Sequence, residues 1–201
     1  MTAGERLVLA SASRVRSWVL ENAGLVFDVD PADVDENAIK QDMSSQGVAA
    51  EAIAMTLAEK KAQVVSMRRP QAWVIGADQV LVLENQIFDK PADMKEAASH
   101  LRQFRGRSHD LISAVCVTRE QHLVWRHTET VTLHVREYSD TFLEKYLSKS
   151  GNSLLDSVGA YRLEGLGAQL FSRVDGDYFS VLGLPLLPLL GFLRGQGVIA
   201  L

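Results

Sequence analysis

The order of helix-like and strand-like segments predicts an α/β domain with a mixed sheet. The apolar run WVIGADQVLVL at 73–83 is typical of a strand buried on both faces. HDLISAVCVT and LVWRHTETVTLHV read as two neighbouring strands joined by the polar turn REQH. Apolar residues along one side of 50–68 predict a long helix. With 201 residues, 47% of them hydrophobic and 23% charged, the chain fits a single globular domain spanning 1–201.

The remaining segments supply short strands and further helices. LVLA predicts a first strand at 7–10, and SASR leads from it into an amphipathic helix that ends at Gly24. An acidic loop, VDPADVDEN, precedes the helix at 50–68. After the long strand, a turn at ENQ and a short strand in IFDK lead to a helix over 93–105.

The C-terminal part of the chain continues this mixture. Thr141 and Glu144 have capping-box spacing and predict a helix that ends near Gly151. The glycine-rich residues 158–182 predict short strands, and a last helix is expected to begin near Pro185.

Composition and charge argue against several classes of function. A net charge of −4 argues against nucleic-acid binding, and the five histidines lack zinc-site spacing. The lone Cys116 lies in an apolar run, as expected of a core residue in a reducing compartment. The apolar stretch VLGLPLLPLLGFL is too short for a membrane span and contains two prolines. We therefore expect a cytoplasmic protein that binds neither nucleic acid nor membrane.

Asp78 is a carboxylate inside the most apolar strand pattern of the chain. Burying an unpaired carboxylate costs at least several kcal/mol, so the residue requires a partner or an opening to a ligand. Either Asp78 lies at a strand end that opens into a cleft, or it pairs with a buried base. Gly76 just before it indicates a bulge, a strand end or the close approach of another group.

The stretch LASASRVR resembles a phosphate-binding loop, because it joins a strand to a helix through small residues. Ser11, Ser13, Arg14 and Arg16 would add hydroxyl and guanidinium donors to the free N–H groups of the helix. The alternative is an ordinary serine N-cap with solvated arginines. No Walker lysine motif is present, so the stretch is not a P-loop.

Carboxylates and lysines elsewhere complete a set suited to phosphate chemistry. The acidic loop, which includes Glu36, could hold magnesium, although such loops are more often simply solvated. Lys61 lies beside the apolar stripe of its helix and would reach inward, whereas Lys90 is fixed by the following Pro91. Together with Asp78, these groups suit metal-assisted attack on a polyphosphate.

These motifs resemble, in the same order and nearly end to end, the Maf family of nucleoside triphosphate pyrophosphatases. The matching stretches include LVLASASRVRSWVLENAGLVFDV, DVDE, LAEKKAQVV, VIGADQVLVLENQIFDKPAD, LRQFRGRSHDLISAV and VGAYRLEGLGAQLFSRVDGDYFSVLGLPL. The resemblance implies a fold related to the inosine-triphosphate pyrophosphatases, with a long mixed sheet and a cleft between two lobes. It also implies hydrolysis between the α and β phosphates with a divalent cation, Mg²⁺ or Mn²⁺.

The resemblance implies a role for each matching residue. Asp78 matches the catalytic acid, which would act as general base on water or help to hold the metal. Glu36 matches a carboxylate near the metal, and Lys61 and Lys90 match lysines that neutralise phosphate charge. Ser11, Ser13 and Arg16 match the loop that contacts the triphosphate, and Val15 within the same loop stands at a further substrate-binding position.

Departures from the common pattern bear on the base of the substrate. Gln79 and Glu164 resemble the branch that acts on 7-methyl-GTP rather than the branch that acts on dTTP and UTP. A carboxylate at 164 can accept hydrogen bonds from the N1–H and amine of a guanine edge, whereas uracil would match it poorly. Val15 stands where the 7-methyl-GTP branch has a tryptophan, and Ser157 replaces the usual lysine.

The resemblance implies a preferred substrate, for which two alternatives stay open, and an oligomeric state. The substrate is 7-methyl-GTP or another purine triphosphate; dTTP and UTP are the alternative within the family. A nucleotide-binding regulator of cell division without catalysis is the alternative from another class, but the retained Asp78, Glu36, Lys61 and Lys90 argue against it. The resemblance further implies a homodimer.

Overall fold

A computed structural model of the protein describes residues 6–200, which contain seven strands and seven α-helices. The strands are β1 (Leu7–Leu9), β2 (Asp28–Val29), β3 (Trp73–Leu83), β4 (Gln86–Phe88), β5 (Ser108–Arg119), β6 (His122–Val135) and β7 (Phe171–Asp175). The helices are α1 (Arg14–Asn22), α2 (Glu36–Ser45), α3 (Ala50–Arg68), α4 (Met94–Phe104), α5 (Asp140–Ser150), α6 (Tyr178–Val181) and α7 (Leu186–Gly195). None of the described helices is long and apolar enough to cross a membrane.

The strands form one mixed sheet in the order β2-β1-β3-β5-β6-β7, and β4 pairs with β3. β1 runs parallel to both β2 and β3, whereas β4 is antiparallel to β3 and β7 is antiparallel to β6. The predicted α/β class with a mixed sheet is therefore confirmed. Glu120 and Gln121 link β5 to β6 with positive φ angles of 51° and 66°, as expected of a two-residue hairpin turn.

The described residues cluster into two compact units. The first unit comprises the described residues up to Gln79, then Ile112–Glu129, then those from Asp177 onward. Its core joins apolar side chains of the sheet to those of α1 and α7, among them Leu9, Leu20, Ile75, Val115 and Leu189. The predicted burial of Cys116 is also found here, where burial raises the pKa of the thiol to about 12.

The second unit comprises Val80–Leu111 and Thr130–Gly176. Aromatic rings form much of its core, where Phe104 contacts both Phe88 and His109 at centroid distances of 4.9 Å. His109 Nε2 lies 2.6 Å from the hydroxyl of Tyr161, so a polar pair is buried within this cluster.

Three details of the C-terminal half and the acidic loop differ from prediction. The capping box at Thr141 is wrong, because Ser139 caps α5 and its hydroxyl accepts from Phe142 N at 3.2 Å. In place of several short strands at 158–182, the structure shows two 3₁₀ turns, the short helix α6 and a single strand, β7. The acidic loop leads directly into α2, which was not predicted because its sequence is largely polar and carries no clear apolar stripe.

Candidate active site

Helix α3 lies unusually close to strand β3 at Gly76. A Cβ atom built on Gly76 would overlap the main-chain oxygen of Ala58 and lie 2.8 Å from the Cβ of Ala62. Of the three expectations for Gly76, the close approach of another group is the correct one. Lys61 lies on the same turn of α3, between Ala58 and Ala62, so this contact places it beside the residues that follow Gly76.

Lys61, Asp78 and Glu36 form the charged centre of the first unit. The ammonium group of Lys61 lies 2.6 Å from Asp78 Oδ1 and 2.7 Å from Glu36 Oε1. The side chains of Lys61 and Asp78 are 8% and 6% exposed, whereas that of Glu36 is 40% exposed. Lys61 therefore reaches inward as predicted, and Asp78 pairs with a buried base.

The pairing of β3 with β1 defines where Asp78 lies in the sheet. The last parallel pair between the two strands joins Leu9 to Ile75, and β3 continues as far as Leu83. Asp78 is thus not at a strand end, contrary to that expectation, but lies just beyond the carboxyl end of β1. In open α/β sheets ligands bind at the carboxyl ends of parallel strands, so this location suits a reacting group.

The charges around Glu36 and Arg16 shift their protonation equilibria. Burial, the largest single influence, raises the pKa of Glu36, but the nearby positive charges, chiefly Lys61 and then Lys40 and Arg16, together bring it below its usual range. Burial lowers the pKa of Arg16, an effect that the carboxylates of Asp78 and Glu36 oppose. Asp78, Glu36 and Arg16 therefore belong to one electrostatic group.

The side chain of Arg16 holds the loop that follows β1 through hydrogen bonds. Its Nη1 donates to Ser11 Oγ at 3.1 Å and to Ala77 O at 2.9 Å, while Nε donates to Gly183 O at 2.8 Å. Ser13 caps α1, since its hydroxyl accepts from Arg16 N at 3.3 Å. The alternative of a serine N-cap is therefore correct for Ser13, and Arg16 is buried rather than solvated.

Most carboxylates of the acidic loop have structural partners instead of a shared ligand. Asp30 binds Arg68 at 2.6 Å and Arg69 at 3.0 Å, and its pKa is lowered chiefly by the hydrogen bond from Arg68. Asp35 caps α2 by accepting from Ala38 N at 3.0 Å. Glu36 is the loop carboxylate that contacts Lys61.

Gln79 is surrounded by partners that sequence patterns did not indicate. Its Nε2 donates to Ser113 Oγ at 2.9 Å and to the main-chain oxygens of Ser180 and Val181 at 3.0 and 3.1 Å. These partners lie 34 to 102 positions away along the chain. Ser113 is the one hydroxyl-bearing residue in the apolar run LISAVCV, and this was the only local signal that could have pointed to it.

Two predicted site residues belong to the second unit. Lys90 is exposed and precedes the buried Pro91, and Glu164 is exposed in the segment before the 3₁₀ turn Leu166–Leu170. Ser157, at the position of the usual lysine, donates to Tyr161 O at 2.8 Å and so has a structural partner. The functions of Lys90 and Glu164 stay predictions, as does that of Val15, which is half-buried on α1.

The donor chemistry of the centre fits a hard cation. Glu36 and Asp78 offer carboxylate oxygens, and Asp78 Oδ2 is buried with no hydrogen-bond partner in the described part of the chain. Residues 6–200 contain no group of three or more His, Cys, Asp or Glu side chains able to share a metal. One or two protein carboxylates are nevertheless enough for Mg²⁺, which takes its other ligands from phosphates and water.

Comparison with known proteins places the chain in a family. The family model described as "Maf-like protein" matches residues 6–196. A nucleoside triphosphate pyrophosphatase of Granulibacter bethesdensis is 50% identical over 189 residues, covering 94% of this chain and 96% of that protein. A 7-methyl-GTP pyrophosphatase of Rhizobium meliloti is 48% identical over 193 residues, covering 96% and 97%.

A solved structure was also found. The dITP/XTP pyrophosphatase of Mycobacterium abscessus aligns over 96% of this chain and 95% of its own with a TM-score of 0.42 and 13% identity. The predicted relation to the inosine-triphosphate pyrophosphatase fold therefore stays a prediction. The family model and the two curated relatives, by contrast, each cover almost the whole chain, and the protein belongs to the Maf family.

Proposed function

We propose that this protein hydrolyses nucleoside triphosphates between the α and β phosphates. The oxygen of a water molecule forms a bond to the α phosphorus, and the bond from that phosphorus to the α–β bridging oxygen breaks. The products are the nucleoside monophosphate and pyrophosphate. The proton lost by the water passes to a general base, for which Asp78 is the candidate.

The observation that carries the proposal is the divided environment of the Asp78 carboxylate. Oδ1 accepts from Lys61 at 2.6 Å, whereas Oδ2 is buried and has no partner among the described residues. A buried acceptor without a hydrogen bond is costly in a purely structural carboxylate. The cost is explained if Oδ2 accepts a hydrogen bond from water or contacts a ligand during the reaction.

Lys61 fits the role of a fixed positive charge. Its contacts with Asp78 and Glu36 hold the ammonium group in place, so little reorganisation is needed when phosphate charge arrives. Lys90, Arg16, Ser11 and Ser13 are proposed to bind the triphosphate, as the family resemblance implies.

A divalent cation, Mg²⁺ or Mn²⁺, is proposed to bind at Glu36 and Asp78. When bound, it would supply Lewis-acid polarisation of the phosphate oxygens. Glu36 suits this role because its side chain is 40% exposed, so one carboxylate oxygen can turn to a ligand while the other remains with Lys61. The chain itself contributes the general base, the orientation of the carboxylates and the charge of Lys61.

The proposed substrate is a purine triphosphate such as 7-methyl-GTP, with dTTP and UTP as the alternative. Support comes from Gln79 and Glu164, and from relatives of which several are named 7-methyl-GTP pyrophosphatase. Val15 would lie near the base but offers no ring for stacking on a methylated purine.

The test is a pyrophosphate-release panel with dTTP, UTP, CTP, GTP, 7-methyl-GTP and ITP, each with and without Mg²⁺. Wild type is compared with Asp78→Asn and with the control Asp110→Asn, whose carboxylate accepts from Thr132 in the other unit. We expect Asp78→Asn to lower turnover by about 10²–10⁴-fold, as for loss of a general base. No release from any triphosphate by wild type would refute the proposal.

We further propose that the enzyme acts in the cytoplasm as a homodimer. The buried and unpaired Cys116 is consistent with a reducing compartment, and exposed apolar side chains such as Trp18 and Leu187 are available for association. Light scattering after size-exclusion chromatography should give twice the chain mass of 22.2 kDa.

A further inference from the structure

Three side chains of the second unit form a continuous chain of hydrogen bonds. Ser108 Oγ lies 2.8 Å from His134 Nδ1, and His134 Nε2 lies 2.9 Å from Asp175 Oδ2. Ser108 belongs to β5, His134 to β6 and Asp175 to β7, so three strands of the sheet each supply one group. A serine, a histidine and a carboxylate linked in this order form the constellation that activates serine nucleophiles on unrelated folds.

The pairing of β6 with β7 brings the histidine and the carboxylate to one face of the sheet. His134 pairs with Arg173, and Asp175 lies two positions further along β7, so the side chains of all three residues share that face. The register of the two strands shifts between His134 and Val135. Such irregularities redirect side chains and are frequent next to active sites.

The ionised state of Asp175 determines which nitrogen of neutral His134 carries the proton. Arg173 donates to Asp175 through two nitrogens, Nε to Oδ1 at 2.6 Å and Nη2 to Oδ2. The hydrogen bond from Arg173, followed by that from His134, lowers the pKa of Asp175 to about 2, so at neutral pH this carboxylate only accepts. His134 Nε2 must therefore carry the proton, and Nδ1 is left with a lone pair.

Ser108 is consequently the donor in its contact with His134. Its hydroxyl donates to the lone pair of Nδ1, which is the hydrogen bond that a general base makes before it accepts a proton. Ser108 is exposed, and the side chains of His134 and Asp175 are 32% and 40% exposed, so a small molecule can reach the serine oxygen. The two ring nitrogens have exchanged roles relative to the chymotrypsin arrangement, in which the carboxylate contacts Nδ1 and the serine contacts Nε2.

We propose that Ser108 is a nucleophile, activated by His134 and oriented through Asp175, that hydrolyses small carboxylic esters. Ser108 Oγ forms a bond to the carbonyl carbon of the ester, and its proton passes to His134 Nδ1. The bond from that carbon to the alcohol oxygen breaks, and the leaving alcohol takes the proton from His134. Water then attacks the acyl group on Ser108, with His134 again as the base, and the carboxylic acid is released. This activity goes beyond the proposed function, because it uses no residue of the charged centre in the first unit.

The first test is hydrolysis of p-nitrophenyl acetate at neutral pH, without nucleotide or divalent cation. We expect Ser108→Ala and His134→Gln each to lower kcat/KM at least about tenfold, as for loss of a nucleophile or of its general base. Asp175 is a positioning residue, so Asp175→Asn should lower kcat and leave KM within about twofold of wild type. Ser172→Ala is the matched control, because this exposed serine of β7 donates to the main-chain oxygen of His134 instead of its ring. His122→Gln controls for unspecific catalysis by an exposed imidazole.

The second test determines whether the serine itself is modified. A fluorophosphonate probe forms a phosphonyl ester with an activated serine and releases fluoride. After digestion with trypsin, the adduct should lie in the peptide Ser108–Arg119 and map to Ser108, because Ser113 in the same peptide is 0% exposed. Labelling should be lost in His134→Gln, and an excess of p-nitrophenyl acetate should slow it in the wild type.

The outcomes separate an active serine from a structural chain of hydrogen bonds. Ester hydrolysis that is unchanged in Ser108→Ala, or that falls equally in Ser172→Ala, would overturn the inference. Failure of the probe to label wild-type Ser108 would also overturn it, and this result requires no variant to fold. Neither measurement contains a triphosphate, so the absence of pyrophosphate release would refute the proposed function without affecting this inference.

Discussion

Lys61 Nζ lies 2.6 Å from Asp78 Oδ1 in the interior of the first unit, and the two side chains are less than one-tenth exposed. Removing two charges from water is costly, and their attraction offsets this only when geometry and further bonds are favourable. Lys61 obtains a further bond from Glu36, whereas Asp78 Oδ2 has none among the described residues. The pair is therefore better explained by chemistry than by stability.

Removing one charge of this pair should destabilise the protein strongly. We expect Lys61→Met to lower the free energy of unfolding by about 3–5 kcal/mol, because Asp78 is then buried without a partner. The double variant Lys61→Met/Asp78→Leu should recover most of this loss while remaining inactive. Urea denaturation gives the free energies, and a loss below about 1 kcal/mol in Lys61→Met would contradict a buried pair.

Adding one methyl group at Gly76 should separate α3 from β3. Gly76→Ala forces its Cβ into Ala58 O and Ala62 Cβ, so we expect a loss of about 1–3 kcal/mol together with reduced turnover. Gly191→Ala is the control, since Gly191 lies exposed within α7 and its Cβ would meet nothing within 4 Å. The control should gain about 0.5–1 kcal/mol in thermal or urea unfolding. Equal effects of the two changes would show that the close approach is unimportant.

Much of the charged centre could be predicted because each residue carries a local pattern. Asp78 is a carboxylate within an apolar run, Lys61 lies beside an apolar helical stripe, and Gly76 precedes Asp78 in the same run. These features are visible within ten residues of sequence. The long elements β3 and α3 were predictable for the same reason, since the apolar run of one and the apolar stripe of the other belong to elements of 11 and 19 residues.

The partners of Gln79 could not be predicted, because they depend on distant segments that meet only in the folded chain. Ser180 lies 101 positions from Gln79 and contributes a main-chain oxygen, a group that every residue possesses. Likewise, α2 is polar on most faces and has no fully buried residue, so hydrophobic periodicity does not reveal it. Interactions of the backbone and of polar surface helices leave little trace in the sequence.

Neutralising Glu36 should weaken the binding of the metal more than it affects folding. In Glu36→Gln we expect the Mg²⁺ concentration for half-maximal pyrophosphate release to rise at least about tenfold. Asp33→Asn is the control, because Asp33 is an exposed carboxylate of the same loop. A magnesium titration of all three proteins is the measurement. Identical midpoints for wild type and Glu36→Gln would exclude Glu36 as a metal ligand.

His109 should make stability depend on pH on the acid side of neutrality. Burial lowers its pKa to about 4 from a usual 6.5, so the unfolded chain binds a proton first as the pH falls. The free energy of unfolding should therefore be highest above about pH 6.5. It should fall by about 3 kcal/mol as the pH drops to about 4, because the unfolded chain then takes up a proton that the folded chain does not. His109→Gln can keep the bond to Tyr161 but does not titrate, so its unfolding free energy should vary less over this interval. The exposed His122→Gln should retain the wild-type slope, and parallel slopes for His109→Gln and wild type in urea unfolding would contradict the prediction.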